Sequence, residues 1–416
     1  MERLIFHVDV NSAYLSWEAV RRVKKGEEDL RLIPSAVGGD PENRTGVILA
    51  KSIPAKKYHV RTGEPVAAAL KKCPQLVLVR PDFKLYEQNS KAFMDICRRY
   101  APVVEKFSID ECFLDMSGTQ KLYPDPVAIA RTIKDEIRNE LGFTVNVGIG
   151  RNKLLAKMAS DFEKPDKVHT LFWQEMPEKL WPLPVRELFS VGHATANKLE
   201  RSGVHTIGDL AKTALPYLQS LLGKKLGQQL HAYANGLDDS PVLAQAEKAK
   251  VYSISTTLAE DVTTVEAANQ ILLELADSVT TRMRADQARA YCICVSIRTH
   301  DFKNRSHQRK LEDATDVTNE VYAVSKSLLL ELWKDRSPLR LLGITLAQLV
   351  YENEGQMTLF QNEKKARARM LDQTLDSIRS RYGMDTIKRG STFQNSLDVG
   401  KKYRAQIEEK DAHKKE

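Results

Sequence analysis

The run Arg3-Leu4-Ile5-Phe6-His7-Val8-Asp9-Val10 constrains the fold more than any other segment. It is short, β-prone and apolar on alternate positions of both parities, so it reads as a central strand covered on both faces. It also ends in an acid, which delivers Asp9 to the carboxyl edge of whatever sheet forms. Ser12 to Lys25 has helical character, a basic end and a stop near Gly26. Residues 47–79 hold Val47-Ile48-Leu49-Ala50, a Lys-rich stretch, Val66 to Leu70 and Leu76 to Val79, and a helix is expected from Tyr86 to Tyr100 with Pro102 beyond it. Val103 to Met116 gives two apolar runs around Ser108-Ile109-Asp110-Glu111, a hairpin whose polar turn carries two adjacent acids. Pro126 to Leu141 is an amphipathic helix closed by Gly142, and Phe143 to Ile149 is β-rich again. The order is βαββαβ with an insertion after its first strand.

Residues 175–240 change character, with short helices, many leucines and glycines at 192, 203, 208, 223, 227 and 236. Asp238-Asp239-Ser240-Pro241 reads as a linker. The pattern strand, helix, strand, strand, helix, strand then returns at Val251–Thr257, Val265–Arg284, Tyr291–Arg298, Ser306–Leu311, Asn319–Trp333 and Leu339–Leu349. After Glu352 the periodicity fades into a charged tail with one short helix expected at 370–382.

A chain of 416 residues exceeds what one core serves and predicts two to four domains. The formal charge of +8 is spread over a large surface and suits solvation as well as nucleic acid. The cysteines number five, an odd count with no C-x-x-C pair, which predicts free thiols in a reducing compartment. The amino terminus lacks the apolar stretch of a signal peptide, and no run approaches the roughly 18 to 20 apolar residues of a membrane span. A cytoplasmic protein with no membrane partner is the expectation.

Asp9 at a strand end and Asp110 and Glu111 at a turn between strands are positioned to converge at one sheet edge. Three close carboxylates repel one another, and burial raises their pKa values unless cations neutralise them. Hard divalent ions with oxygen ligands answer that need, magnesium especially where phosphates share the site. Two such ions about 3.5–4 Å apart serve polymerases and nucleases alike.

Here the sequence resembles the Y-family DNA polymerases, most closely their bacterial DNA polymerase IV branch. His7-Val8-Asp9-Val10-Asn11-Ser12-Ala13-Tyr14 is similar to the family's first motif and Ser108-Ile109-Asp110-Glu111 to its second. Gly148 through Asp161 (Gly-Ile-Gly-Arg-Asn-Lys-Leu-Leu-Ala-Lys-Met-Ala-Ser-Asp), continuing into Lys164-Pro165-Asp166, is similar to the third. Pro338-Leu339-Arg340-Leu341-Leu342-Gly343-Ile344 resembles a signature of the last domain.

The resemblance implies an α+β right-hand polymerase with a βαββαβ palm (1–10 and 79–167), small fingers (11–78), a helical thumb (168–238), an α/β little finger (239–352) and a tail (353–416). It implies template-directed DNA synthesis of low fidelity that bypasses damaged bases, with deoxynucleoside triphosphates and primer–template DNA as substrates. Two Mg²⁺ ions would be held by Asp9, Asp110, Glu111 and the Val10 carbonyl. Lys157, with Lys153 and Lys56, would meet the triphosphate, and Tyr14 would be the steric gate against a 2′-hydroxyl. Residues 188–210 resemble a helix–hairpin–helix in which Val191 and Gly192 form the turn with Lys198 nearby, gripping a DNA phosphate without reading sequence. Gln356-Met357-Thr358-Leu359-Phe360 is similar to a sliding-clamp-binding peptide, with Gln356 polar and Leu359 and Phe360 filling an apolar cleft. A monomer is implied. Arg282, Arg284, Arg289, Arg298, Lys303, Arg305, Arg309 and Lys310 are plentiful near the strands of the last domain and would give salt-sensitive DNA binding if several meet phosphate.

The chain also departs from the family pattern. Asn11 stands where a second acid is common, Ala13 replaces a common aromatic, and Ile53 and Lys56 replace a tyrosine and an arginine expected on the triphosphate. Lys56 loses the bidentate grip of arginine, so weaker nucleotide binding or altered selectivity is expected. On the residues alone, a DNA-binding scaffold that has lost synthesis, a two-metal nuclease and an accessory-dependent catalytic subunit stay open.

Overall fold

The computed structural model describes residues 3–39, 46–245, 247–351, 363–383 and 386–387. The chain forms two compact units that divide at residues 246 and 247. The first begins with β1 (Ile5–Val10) and α1 (Ala13–Lys24). It continues through β2 (Ser35–Gly38), β3 (Ile48–Lys51), α2 (Ile53–Lys57), α3 (Val66–Lys72) and β4 (Val77–Val79). Then come α4 (Phe83–Arg98), β5 (Val103–Lys106), β6 (Glu111–Asp115), α5 (Pro126–Leu141), β7 (Val145–Gly150), α6 (Lys153–Ser160) and β8 (Val168–Leu171).

The expected central strand is central: the main sheet runs β5-β6-β1-β7-β8, and all of Ile5 to Val10 is buried. Its βαββαβ order carries one further strand, β8, parallel to β7. Phe6, Val8 and Val10 point into the large core that also takes Trp17, Tyr86, Phe93 and Phe143. The helices start where local chemistry says they should. Asp82 accepts from Leu85 N, Asp125 caps α5 ahead of Pro126, and Asn152 accepts from Leu155 N. α5 ends at Gly142 with φ 82°, a left-handed C-cap that favours glycine. Gly148 and Gly150 exist for a different reason. A Cβ on Gly148 would stand 2.0 Å from Ala156 O and 2.3 Å from Ser160 N, so the α6 backbone lies directly on β7.

The insertion forms a sheet of its own, β3-β2-β4, whose small core includes Ala36, Ile48, Val66 and Leu76. After β8 come α7 (Met176–Lys179), α8 (His193–Arg201), α9 (Ile207–Lys212), α10 (Leu215–Leu222) and α11 (Lys224–Ala234), packed around Leu180, Leu199, Leu210, Leu218 and Leu230. The linker after them folds back on its own unit. Arg3 Nη2 donates to Ser240 O, Leu243 N donates to Glu105 Oε2, and Val242 is buried beside Ile5 and Phe113.

The second unit is β9 (Val251–Val262), α12 (Val265–Ala285), β10 (Ala288–Thr299), β11 (Asn304–Thr315), α13 (Thr318–Leu332), β12 (Leu339–Tyr351) and α14 (Glu363–Tyr382). Its sheet runs β11-β10-β12-β9, all antiparallel. Ile293, Val295 and Ile297 join the core with Ile271, Leu275 and Leu328 of the two helices. The alternation therefore turns Cys294, Ser296 and Arg298, with their register partners Gln308, Ser306 and Asn304, to the opposite face.

Two expectations change here. The tail helix is not short: it runs 363–382 and docks on its unit through Arg284, which bonds Asp376 (2.6 Å) and lies 3.5 Å from Asp372. Arg284 is consequently a buried brace, its side chain only 5% exposed, rather than a candidate for phosphate.

Candidate active site

β1 and β6 are antiparallel neighbours whose register sets Asp9 opposite Glu111. The turn into β6 closes on itself, Phe107 N and Ser108 N both donating to Glu111 O, while Val10 N donates to Asp110 O at 3.0 Å. All three acids thus reach one edge, as the alternation of β1 and the hairpin turn foreshadow. Ser12 then takes the left-handed conformation (φ 49°), turning the chain sharply from strand into α1. That turn sends Tyr14 into the same region, stacked on Tyr86 with ring centroids 4.6 Å apart.

Asp9, Asp110, Glu111 and Tyr14 line a cavity of about 760 Å³ together with Asn11, Ile53, Lys56, Lys157, Asp161, Lys164 and Pro165. Tyr14 is backed by more than one ring: Phe83 meets it edge-on and Trp17 at a tilt. Ile53 is 60% exposed at the first position of α2, where Ser52 accepts from Ala55 N.

Each acid is already held. Lys164 Nζ donates to Asp9 Oδ2 at 2.5 Å and to Asp161 Oδ1 at 2.8 Å. Lys157 Nζ donates to Glu111 Oε2 at 2.6 Å, and Ser108 Oγ donates to Asp110 Oδ1 at 2.6 Å. His7, wholly buried, spans from Ser160 Oγ (2.7 Å) to Glu111 Oε2 (3.1 Å). Burial pushes the imidazole pKa down, towards the neutral ring. A neutral His7 with its proton on Nε2 donates to Glu111, and the single Ser160 hydroxyl proton is then shared between Nδ1 and the Lys157 carbonyl 2.8 Å away.

The electrostatics separate the two paired acids. Burial drives Asp9 up to about 6, outweighing Lys164. Burial also favours a raised Glu111, but hydrogen bonds from His7 and Lys157 prevail and hold it at about 2. Among the described residues no three His, Cys, Asp or Glu side chains stand together as a preformed ligand set. The ammonium groups of Lys157 and Lys164 stand among the acids. The donor set still suits hard divalent cations: carboxylate oxygens on one cavity wall, and a buried Asp9 whose charge its lysine partner does not fully compensate.

Several sequence-based placements shift. Lys153 does not line the cavity; its Nζ is bound by both oxygens of Glu105 (2.7 and 2.9 Å) and lies over the Phe113 ring. Being the first residue of α6, it reaches across to β5 instead of sharing the direction of Lys157. In the helical region, α8 follows a single 3-10 turn at Val185–Glu187, with Gly192 as its N-cap and open space where a Cβ would project. Lys198 belongs to the last turn of α8, about 9 Å along the axis from Gly192. Gln356, Leu359 and Phe360 lie outside the described residues. Lys164, His7 and Asp161 were not singled out as site residues by sequence, although all three fall within the quoted motifs.

Comparison with known proteins fits this geometry. The impB/mucB/samB family matches residues 8–161 and its C-terminal domain residues 249–359, while the thumb domain of DNA polymerase iota matches residues 186–238. DNA polymerase IV of Clostridium acetobutylicum is 45% identical over 392 residues, covering 94% of this chain and 98% of that one. The chain belongs to the DNA polymerase IV branch of the Y-family. DNA polymerase IV of Clostridium kluyveri is 37% identical over 405 residues, 95% of this chain and all of its own length. A Y-family DNA polymerase chimera of solved structure superposes with a TM-score of 0.72 at 24% identity, over 84% of this chain and 100% of that one. Helices α8 to α11 fall on the residues that the thumb-domain model matches, and β9 to β12 of the second unit on those that the family's C-terminal domain matches. This Y-family polymerase is a DNA-directed DNA polymerase. No helix among its described residues is long and apolar enough to cross a membrane.

Proposed function

We propose that the cavity between β1, β6 and α1 performs magnesium-dependent nucleotidyl transfer during synthesis across damaged template bases. The observation that carries this reading is that Asp9, Asp110 and Glu111 line one cavity, which Tyr14 also lines. Asp9, Asp110, Glu111 and the Val10 carbonyl would hold two Mg²⁺ ions. When bound, the ions lower the pKa of the attacking 3′-hydroxyl and offset charge on the leaving pyrophosphate. Lys157 and Lys164 sit on the acids' carboxylates and transfer their charge to the incoming triphosphate, joined by Lys56 from α2. Tyr14, held against Tyr86, excludes a 2′-hydroxyl by its bulk.

Outside the cavity, the open N-terminus of α8 at Val191 and Gly192 takes a duplex phosphate through main-chain N–H groups, with Lys198 adding charge further along. Gln356, Leu359 and Phe360 engage a sliding clamp, raising local concentration on DNA to compensate for a weakened nucleotide grip at Ile53 and Lys56. The protein works as a cytoplasmic monomer in damage tolerance.

The test is primer extension with Mg²⁺ on undamaged and abasic templates, with Asp110→Ala as control. Extension past the abasic site that Asp110→Ala abolishes supports the reading. Tight, salt-sensitive DNA binding without extension replaces it with a scaffold or accessory-dependent subunit, a reading for which Ile53 and Lys56 are the specific grounds. Deletion of 356–360 should remove stimulation by the clamp and leave unstimulated extension intact.

A further inference from the structure

Two asparagines beside the cavity have every amide atom engaged, and the partners determine which way each amide points. Asn146 Nδ2 donates to the carbonyls of Ser160 (3.1 Å) and Glu163 (2.7 Å), while its Oδ1 accepts from Lys167 N (3.2 Å). Main-chain carbonyls only accept and main-chain N–H groups only donate, so this amide has one possible orientation. Asn11 Oδ1 likewise accepts from Asp166 N (2.9 Å) and Thr144 Oγ1 (3.0 Å). Its Nδ2 then meets Asn146 Oδ1 at 3.1 Å, donor to acceptor.

Three of the four main-chain partners belong to the segment joining α6 to β8 and the fourth, Ser160, ends α6, so together they bracket Lys164. The far side of the same segment is pinned by Lys134 and Arg138 of α5, each 2.8 Å from the Asp166 carboxylate. Asn146 is wholly buried and Asn11 nearly so, so a lost amide partner is poorly replaced by water.

We propose that Asn11 and Asn146 are positioning residues that set Lys164 in the active site. The inference rests on the reading that Lys164 serves the incoming triphosphate. It gives a physical account of Asn11 where an acid is common in related motifs: a carboxylate at 11 lacks the donor that Asn146 Oδ1 requires. Two acceptors would face each other about 3 Å apart, and Asn146 could not turn without abandoning the Ser160 and Glu163 carbonyls.

The experiment is steady-state primer extension on the full chain with Asn11→Asp, Asn11→Ala, Lys164→Ala and the double variant Asn11→Asp/Lys164→Ala, with amide hydrogen exchange of each. Asn11→Asp should raise KM for the incoming nucleotide about tenfold with a smaller change in kcat. Exchange at Asp166 and Lys167 should quicken while β1 and β6 stay protected. In the Lys164→Ala background, Asn11→Asp should add nothing to KM. Asn11→Ala, which removes the amide without introducing charge, should act in the same direction and serves if the aspartate variant does not fold. An unchanged KM in Asn11→Asp and Asn11→Ala, or an equal rise in the absence of Lys164, overturns the proposal. If Lys164→Ala itself leaves KM unaltered, the assignment of Lys164 to the triphosphate fails instead, and the positioning role falls with it.

Discussion

Asp9 and Glu111 are register partners across β1 and β6, yet their carboxyls are driven in opposite directions, Asp9 up to about 6 and Glu111 down to about 2. The difference lies in their partners. Glu111 gathers His7 and Lys157 on one oxygen, enough to reverse the effect of burial, whereas Asp9 shares Lys164 with Asp161.

The stability of the metal-free protein should carry both signatures. Asp9 titrates at 3.8 when unexposed to the fold and at about 6 within it, so between those values the native state binds more protons and this contribution falls as pH rises. Glu111 runs the other way: its contribution is complete above 4.5 and is lost as pH falls towards about 2. Denaturation followed from pH 4 to 7 should show that Asp9→Asn removes a loss of stability between pH 4 and 6 seen in the parent. Identical pH slopes in the two proteins would refute the raised Asp9.

His7→Ala should release Glu111 upward and leave one side of its carboxylate without a buried partner, while the Ser160 hydroxyl keeps the Lys157 carbonyl. A loss of about 1–3 kcal/mol in stability is expected. The acid limb of the kcat/KM profile should move to higher pH. His7→Gln, which keeps a donor near Glu111, should recover part of both losses.

Tyr14→Ala should increase ribonucleotide incorporation, measured as the ratio of kcat/KM for matched ribo- and deoxyribonucleotides. The support behind the ring offers a second handle. Tyr86 Oη donates to the buried Glu18 at 2.9 Å, and Glu18 also holds Arg21. Glu18→Gln retains an acceptor for Tyr86 and should leave the ratio near the parent value, while Tyr86→Ala should relax it in the same direction as Tyr14→Ala.

Gly148→Ala should destabilise the first unit by about 3 kcal/mol or more, because the added methyl meets main-chain atoms of α6 rather than a movable side chain. Thermal unfolding reports this directly, and the same substitution at Gly192, where a Cβ meets nothing, should be nearly silent in that assay.

Arg284→Met should loosen the middle of α14, whose Arg369 and Arg379 still pair with Asp316 (2.7 Å) and Asp277 (2.8 Å). The change leaves Asp372, with 5% side-chain exposure, and Asp376 without their buried guanidinium, a loss of about 3–5 kcal/mol locally. Quicker hydrogen exchange around Asp372 and Asp376, with β10 and β12 still protected, is the expected outcome.

Much of this was readable in the chain. The buried strand ending in Asp9, the hairpin with Asp110 and Glu111 and the six elements of the second unit are set by local alternation, turn residues and caps, which act within a few residues. The role of Lys164 was not readable, because its partner Asp9 lies 155 residues away, and neither was that of His7, 104 residues from Glu111. Lys153 and Arg284 looked like members of functional sets because sequence shows a charge but not its counter-ion. Glu105 and Asp376, 48 and 92 residues distant, claim them.

The sequence by itself therefore determined which acids stand at the strand edge, which elements carry them and which polymerase family the chain joins. Tertiary structure alone decided which cation neutralises which carboxylate, which way the Asn11 and Asn146 amides point and how far each acid is shifted. Those quantities depend on distance and burial among side chains that only folding brings together, and both fall outside what local pattern encodes.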